Sequence, residues 1–150
     1  MVRSRRALIV IVDDDDGNVE LVRRSLRRAS IDNDIISFDN GADALEFLFG
    51  RGPQAQRLAD GDPLVLLDIN MPGIDGLEVL RRIKADPITQ PIPVIMLTTT
   101  DDPRAINRCY ELGCNVYITK PVGPDAFIDA IVKLGLFISV VSVPTETRRP

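Results

Sequence analysis

The segment LVLLDINMPG, residues 64–73, decides the fold because it joins a short apolar run to a single acid. Residues 64–67 are Leu and Val only, which is typical of a strand that is buried on both faces. Asp68 follows at once, and Pro72 and Gly73 then favour a turn. A buried carboxylate costs free energy unless it has a partner. The segment therefore predicts a strand whose carboxyl end delivers Asp68 to a site.

Four other apolar runs of similar length flank this one. Together the five runs predict strands at residues 7–12, 34–38, 64–67, 92–97 and 115–119. Each is followed by apolar residues at helical spacing, such as Val19, Val22 and Leu26. Five strand–helix units with right-handed crossovers predict an α/β fold. We expect a doubly wound, five-stranded parallel sheet with five helices and the flavodoxin-like strand order 2-1-3-4-5.

The length and composition of the chain exclude several classes of protein. The 150 residues suffice for one domain, and a net charge of −4 gives no general attraction to nucleic acid or anionic lipid. We expect no membrane span, because the apolar runs are far too short. The chain has no histidine, which excludes His-based catalytic triads. Cys109 and Cys114 match no metal signature and are interpreted as core residues in a reducing compartment, so we expect a cytoplasmic protein.

Two segments do not fit the regular alternation of strands and helices. Residues 50–63 are rich in Gly and Pro and are predicted to form an irregular loop. The tail, residues 137–150, starts with the β-branched run FISVVSV. We expect one domain over residues 1–136, no output domain, and a tail that crosses to a second subunit as a dimerisation arm. The alternatives are a tail packed on its own domain and a disordered tail.

Polar residues follow four of the predicted strands, and the carboxyl ends of parallel strands meet at one edge of a sheet. The residues are Asp13 to Asp16, Asp68, Thr98 to Thr100, and Lys120. Carboxylates a few ångströms apart repel each other unless a cation lies among them. All the donors are oxygen, which favours Mg²⁺.

Lys120 indicates that the site receives further negative charge. A cation directed at a carboxylate–Mg²⁺ site is useful if a phosphoryl group arrives there, because catalysis of phosphoryl transfer is mostly positioning and charge neutralisation. Asp68 is then the nucleophile that forms an acyl phosphate, and a Thr hydroxyl bonds a phosphoryl oxygen.

The ordered set of acid pair, Asp, Thr and Lys-Pro resembles the receiver domain of response regulators in two-component signalling. Four stretches carry the resemblance: LIVIVDDDDGNVELV, LVLLDINMPGIDGLEVLRRIK, PVIMLTTTDDPRAI and GCNVYITKP. The resemblance implies a CheY-like protein that accepts a phosphoryl group from a sensor histidine kinase. It also implies no turnover of an external substrate, only the chain's own phosphorylation and dephosphorylation.

The resemblance assigns the metal ligands. Asp13 and Asp14 match the acid pair, with Asp14 a direct Mg²⁺ ligand. Asp68 matches the phosphoacceptor and also contacts the metal. Asn70 matches the residue that lends its main-chain carbonyl to the ion. The two further acids of the run are expected to face solvent, one of them capping the first helix.

The resemblance also assigns a switch. Thr98 matches the hydroxyl that follows the phosphoryl group, and Lys120 matches the lysine that precedes a cis bond to Pro121. Tyr117 lies where receivers carry an aromatic residue that moves inward on activation. Thr99 is bulkier than the Ala or Gly common at its position, which predicts altered access to Asp68.

A narrower resemblance is to the stand-alone receivers that partner bacterial and cyanobacterial phytochromes, carried by the loop at 50–63 and the ending VYITKPV…FIDAIVKLGLFISVVSVP. It implies a bacteriophytochrome kinase as the partner. We also expect a homodimer through the fourth helix, fifth strand and fifth helix, together with the tail.

Two other functions remain open at this stage. Asp14, Asp16 and Gly17 come close to the first motif of haloacid-dehalogenase-type phosphatases, with Asp14 as nucleophile and Asp16 as acid/base, although Asn18 breaks the motif. A pseudo-receiver that binds partners without phosphorylation is the other alternative.

Overall fold

The computed structural model of the chain describes residues 6–120 and 123–134. The strands are β1 (Ala7–Val12), β2 (Ile35–Phe38), β3 (Asp62–Leu67), β4 (Val94–Thr98) and β5 (Val116–Thr119). The helices are α1 (Asp16–Arg28), α2 (Gly41–Leu48), α3 (Gly76–Ala85), α4 (Pro103–Leu112) and α5 (Pro124–Leu134). These elements alternate along the chain as the apolar runs predict.

The five strands form one parallel sheet in the order β2-β1-β3-β4-β5. Alternate residues of β1 enter different apolar layers: Leu8 and Val10 pack with α2, α3 and α4, whereas Ile9 and Ile11 pack with α1 and α5. Period-two alternation places successive side chains on opposite faces of a strand. The predicted doubly wound α/β fold and its strand order are confirmed.

The segment at residues 50–63 departs from its prediction as an irregular loop. A 3₁₀ helix spans Ala55–Asp60, and β3 then begins at Asp62, two residues before the predicted start. Gly61 makes this entry possible, because a Cβ there would lie 2.3 Å from the main-chain oxygen of Arg6. A high Gly and Pro content indicates a break in regular structure, but it does not predict a short 3₁₀ helix within that break.

The strand boundaries differ elsewhere by one or two residues. β4 begins at Val94 and continues through Thr98, so Thr98 is the last residue of a strand rather than the first residue of a loop. Both cysteines are buried and unbridged, as predicted. The domain limit at residue 136, the tail at 137–150 and Pro121 lie outside the described residues, and their predictions stay predictions.

Over residues 6–120 and 123–134, none of the helices combines enough length with enough apolar character to cross a bilayer.

Candidate functional site: a carboxylate group at the strand tips

The acidic run after β1 divides into residues with different surroundings. Asp13 is buried, and its Oδ1 accepts the main-chain N–H of Asp15 at 2.9 Å. Asp14 is exposed. Asp15 is the N-cap of α1 and accepts the N–H of Asn18 at 3.1 Å, a contact that stabilises helix starts. Asp16 is the exposed first residue of the helix. The prediction that Asp15 and Asp16 face solvent and that one of them caps α1 is confirmed.

Asp68 is held by backbone contacts on both sides. Its N–H donates to the Val12 carbonyl at 3.0 Å, which ties the end of β3 to the end of β1. On the other side, the Gly76 N–H donates to the Ile69 carbonyl at 2.8 Å. A Cβ on Gly76 would lie 2.0 Å from the Asp68 carbonyl oxygen, so the start of α3 approaches Asp68 as closely as only glycine permits.

Three carboxylates and one ammonium meet at this edge of the sheet. One oxygen each from Asp13, Asp14 and Asp68 lie within 4.8 Å of one another. The Lys120 Nζ lies 2.7 Å from Asp13 Oδ2 and 3.7 Å from Asp68 Oδ2. The structure therefore brings together the four charged side chains that the sequence predicts to meet.

The donor set fits a hard divalent ion. Each carboxylate offers an oxygen, and none of the three is replaced by the nitrogen or sulfur ligands that zinc prefers. Lys120 balances only part of the charge, because one ammonium pairs with Asp13 and Asp68 in a cluster of three carboxylates. The residues present therefore suit Mg²⁺ or an ion of similar chemistry.

Burial is the main influence on the ionisation of Asp68. Only 8% of the residue is exposed, and burial raises the pKa of its carboxyl group. The nearby Lys120 ammonium opposes this rise in pKa, whereas the Asp13 carboxylate adds to it. Hydrogen bonds from Thr98 and from the Asn70 main chain also favour the charged form. The burial of Asp68 beside a second carboxylate thus carries an electrostatic cost that a bound cation would relieve.

The end of β4 supplies the hydroxyl of the predicted site. Thr98 is fully buried, and its Oγ1 accepts the N–H of Thr100 at 3.3 Å. Thr99 is exposed. The exposed side chain of Asn70 is near the same loop and donates to Thr100 Oγ1 at 3.4 Å. The role assigned to Asn70 belongs to its main-chain carbonyl and stays a prediction.

Tyr117 is half-buried and is held by two hydrogen bonds. Its hydroxyl donates to the Thr100 carbonyl at 2.5 Å, and its N–H donates to the Tyr110 hydroxyl at 3.1 Å. Burial raises the pKa of the phenol to about 12. Sequence reasoning did not identify Thr100 and Tyr110 as contacts of Tyr117, because neither lies at a spacing that indicates this contact.

The cluster of three carboxylates also bears on the alternative function as a haloacid-dehalogenase-type phosphatase. That interpretation requires Asp14 and Asp16 to work together. The structure places Asp14 with Asp13 and Asp68, whereas Asp16 is the first residue of α1 and belongs to the helix start.

A sheet edge that presents an acid pair, a buried Asp, a Thr and a Lys defines a receiver-type site. Residues 9–132 match the family model of the response regulator receiver domain. The chain therefore belongs to the response regulator receiver family.

Response regulator Rcp1 is similar to this chain in both sequence and structure. Response regulator Rcp1 of Synechocystis sp. is 37% identical over 116 residues, which cover 75% of this chain and 76% of Rcp1. The crystal structure of its Mn²⁺-bound form has a TM-score of 0.69 at 33% identity, covering 91% of this chain and 98% of that one.

Two further solved structures are similar over almost the whole chain. The bacteriophytochrome response regulator AtBRR has a TM-score of 0.79 at 35% identity and covers 95% of this chain and 99% of its own. A receiver domain from Rhodospirillum rubrum has a TM-score of 0.69 at 48% identity, covering 92% and 97%. Other curated relatives are longer, and the chain spans 53% or 23% of their length.

Proposed function

We propose that this chain is a response regulator whose Asp68 accepts a phosphoryl group from a sensor histidine kinase in a reaction that requires Mg²⁺. The observation that carries the proposal is the cluster of Asp13, Asp14 and Asp68, whose oxygens lie within 4.8 Å of one another, with the Nζ of Lys120 paired to Asp13 and Asp68. Family membership and the Mn²⁺-bound structure of Rcp1 support it.

The transfer uses groups that the chain already positions. A carboxylate oxygen of Asp68 attacks the phosphorus of a phosphohistidine, the P–N bond breaks, and the imidazole leaves. The product is an acyl phosphate on Asp68. Lys120 supplies a point charge to the phosphoryl oxygens, and the buried hydroxyl of Thr98 can donate to one of them.

The metal would be held by Asp13, Asp14, Asp68 and the main-chain carbonyl of Asn70. When bound, Mg²⁺ neutralises charge on the phosphoryl oxygens. The chain's own contribution is to keep the carboxylates together at the ends of β1 and β3, which the hydrogen bond from Asp68 to Val12 achieves.

Labelling with a small phosphoryl donor tests the proposal. We expect acetyl phosphate with Mg²⁺ to add one phosphoryl group per chain in intact mass spectrometry. Asp68→Asn abolishes the adduct, whereas the exposed Asp16→Asn retains it. An absent adduct in the wild-type chain would favour a pseudo-receiver. Turnover of a phosphate ester that survives Asp68→Asn would favour the phosphatase.

The kinase that we propose as partner is a bacteriophytochrome. The support is the similarity to AtBRR, described as a bacteriophytochrome response regulator, over 95% of this chain. Phosphotransfer from a light-regulated bacteriophytochrome kinase should outpace transfer from an unrelated histidine kinase. Equal rates from both kinases would contradict this assignment.

The surface of α1 beside the site offers the kinase an apolar contact. A cavity next to Lys120 is lined by Leu21, Val22 and Ser25 of α1 and by Thr99. Leu21 is 59% exposed and lines this cavity, so its apolar side chain is available to a partner beside the site. We propose that a helix of the kinase covers Leu21 while its phosphohistidine reaches Asp68.

The phosphorylated chain in turn signals through a partner protein or through a homodimer. The surface formed by α4, β5 and α5, together with the tail, is the proposed dimer contact. Sedimentation with and without beryllofluoride and Mg²⁺, on the full chain and on a chain shortened to Leu136, tests it. A sedimentation coefficient that is the same for both chain lengths under both conditions would contradict a dimerising tail.

We further propose that the chain acts in the cytoplasm and turns over no external substrate. The buried, unbridged thiols of Cys109 and Cys114 are in keeping with a reducing compartment. Fractionation of cells that express the chain at native level tests the location. Sustained hydrolysis of a phosphate monoester, at a rate that Asp68→Asn leaves unchanged, would contradict the absence of turnover.

A further inference from the structure

The strand β5 forms one edge of the sheet among the strands of residues 6–120. An edge strand carries main-chain N–H groups that face away from its neighbour. The Lys120 N–H donates to the Thr98 carbonyl of β4. Donors alternate in direction along a strand, so the Tyr117 N–H, three residues earlier, faces the open edge.

A side chain from α4 covers this donor. The Tyr110 hydroxyl accepts the Tyr117 N–H at 3.1 Å, although 46% of Tyr110 is exposed. The end of α4 is well defined, because Gly113 adopts φ +108° and its N–H donates to the Cys109 and Tyr110 carbonyls. This left-handed cap fixes the last turn of α4, and with it Tyr110, against β5.

The contact places Tyr110 at one end of a chain of hydrogen bonds that reaches the site. Tyr117 is held at its N–H by Tyr110 and at its hydroxyl by the Thr100 carbonyl. Thr100 in turn donates its N–H to the Thr98 hydroxyl at 3.3 Å. The Thr98 hydroxyl in turn favours the charged form of the Asp68 carboxyl group and lowers its pKa. The last turn of α4 is thus linked to the phosphoacceptor through consecutive polar contacts.

We propose that Tyr110 is a positioning residue that couples α4 to the occupancy of the Asp68 site. Its hydroxyl holds the main chain of residue 117 where the Tyr117 hydroxyl reaches Thr100. The inference rests on the proposed function, since it assumes that Asp68 carries a phosphoryl group. A ligand at Asp68 that favours this position of Tyr117 binds less tightly when the anchor is lost, because linkage between two sites is reciprocal.

Tyr110→Phe tests the inference by removing one oxygen atom and keeping the ring. Beryllofluoride with Mg²⁺ is the probe of the phosphoryl position. The chain has no Trp and two Tyr, so the tyrosine fluorescence of this variant comes from Tyr117 alone. One lost hydrogen bond corresponds to a fall of about three- to tenfold in apparent beryllofluoride affinity.

Affinity for Mg²⁺ alone is the readout that separates positioning from a general structural role. We expect it to stay unchanged in Tyr110→Phe, because Tyr110 does not contact the carboxylates. Hydrogen exchange of the Tyr117 amide should become faster in the same variant. Asn107→Ala, at an exposed position on the same helix, should match the wild type in all three measurements.

The outcomes separate the inference from the proposed function. Wild-type protein that fails to bind beryllofluoride overturns both. If the wild type binds beryllofluoride and Tyr110→Phe binds it with the same affinity, the role of Tyr110 is overturned and the proposed function stands. An equal loss of Mg²⁺ and beryllofluoride affinity also overturns it, because this result indicates a general disturbance of the fold.

Discussion

Four consecutive aspartates after β1 have identical side chains and different surroundings. Asp13 is buried and pairs with Lys120. Asp14 is exposed and contributes the third carboxylate of the cluster with Asp13 and Asp68. Asp15 caps α1, and Asp16 begins it. The difference arises because the chain passes from a buried strand to a solvent-facing helix within these residues. At this scale the position of a residue relative to the end of its strand decides its chemistry.

Asp68→Asn should raise the free energy of unfolding of the metal-free chain at pH 7. Burial raises the folded-state pKa of Asp68 above the usual 3.8, so the charged carboxylate disfavours the folded state. Stability linked to Asp68 is fully present below the unfolded-state pKa and is lost as the pH rises through the folded-state pKa. Above the folded-state pKa that loss is complete in the wild type, and the neutral Asn side chain does not incur it.

Urea unfolding of both proteins between pH 3 and pH 8 measures the effect. The difference between them should shrink as the pH falls through the folded-state pKa, and Asp16→Asn should show no such trend. Saturating Mg²⁺ should reverse the order by stabilising the wild type alone. A metal-free variant that is less stable than the wild type at pH 7 would contradict the prediction.

At the scale of elements, close contact between α3 and the end of β3 defines where Asp68 lies. Gly76 permits this contact, and Asp75 starts α3 by accepting the Glu78 N–H at 2.9 Å. The first residues of α3 therefore lie directly behind Asp68 and restrict its position. A glycine before a helical repeat does not reveal this by itself, because the neighbouring atoms belong to a distant strand.

Gly76→Ala should destabilise the fold by about 2–3 kcal/mol, because the added methyl group meets main-chain atoms that cannot rotate away. It should also weaken Mg²⁺ binding, since either α3 or Asp68 must move. Gly123→Ala is the control, because a Cβ at Gly123 has no atom within 4 Å. Urea unfolding and Mg²⁺ titration check both, and equal effects of the two substitutions would contradict the prediction.

Leu21→Ser should slow phosphotransfer from the kinase and leave labelling by acetyl phosphate unchanged. An apolar side chain covered at an interface contributes roughly 1–2 kcal/mol, which corresponds to about tenfold in kcat/KM for transfer. Ile88→Ser is the matched control, because Ile88 is 79% exposed and lies in the α3–β4 connection, at the opposite end of the sheet. A loss of acetyl phosphate labelling in Leu21→Ser would indicate damage to the site instead.

At the scale of the whole molecule, one site draws on strands from across the sheet. Asp13 follows β1, Asp68 follows β3, and Lys120 follows β5. Since strands β1, β3, β4 and β5 are adjacent, their carboxyl ends form one continuous edge. Binding at this edge should therefore stabilise the entire sheet rather than one element.

Mg²⁺ should raise the Tm by about 5–10 °C at a concentration 100 times its Kd. Binding to the folded chain alone contributes about 2.7 kcal/mol under that condition, and a chain of this size gains about 2–4 °C for each kcal/mol. Thermal unfolding followed by circular dichroism measures it. Asp14→Asn should lose most of the rise in Tm, whereas Asp16→Asn should keep it, and the reverse pattern would contradict the assignment of ligands.

The sequence by itself determined the repeating strand–helix units, the strand tips and the residue types that meet there. Continuous apolar runs such as LVLL, which are short and bounded by turn residues, indicate buried strands. Parallel strands then bring Asp68, Lys120 and the acidic run to one edge. These features follow from local periodicity and from a topological rule, so they can be predicted residue by residue.

Only the tertiary structure decided the contacts between residues that no periodicity relates. It placed Gly76 against the Asp68 carbonyl, Tyr110 on the Tyr117 N–H, and Thr100 between Tyr117 and Thr98. It also formed a 3₁₀ helix from a segment predicted to be irregular. The physical reason is that each contact depends on how helices pack on the sheet to within an ångström, which is set by the whole core and not by the neighbouring residues.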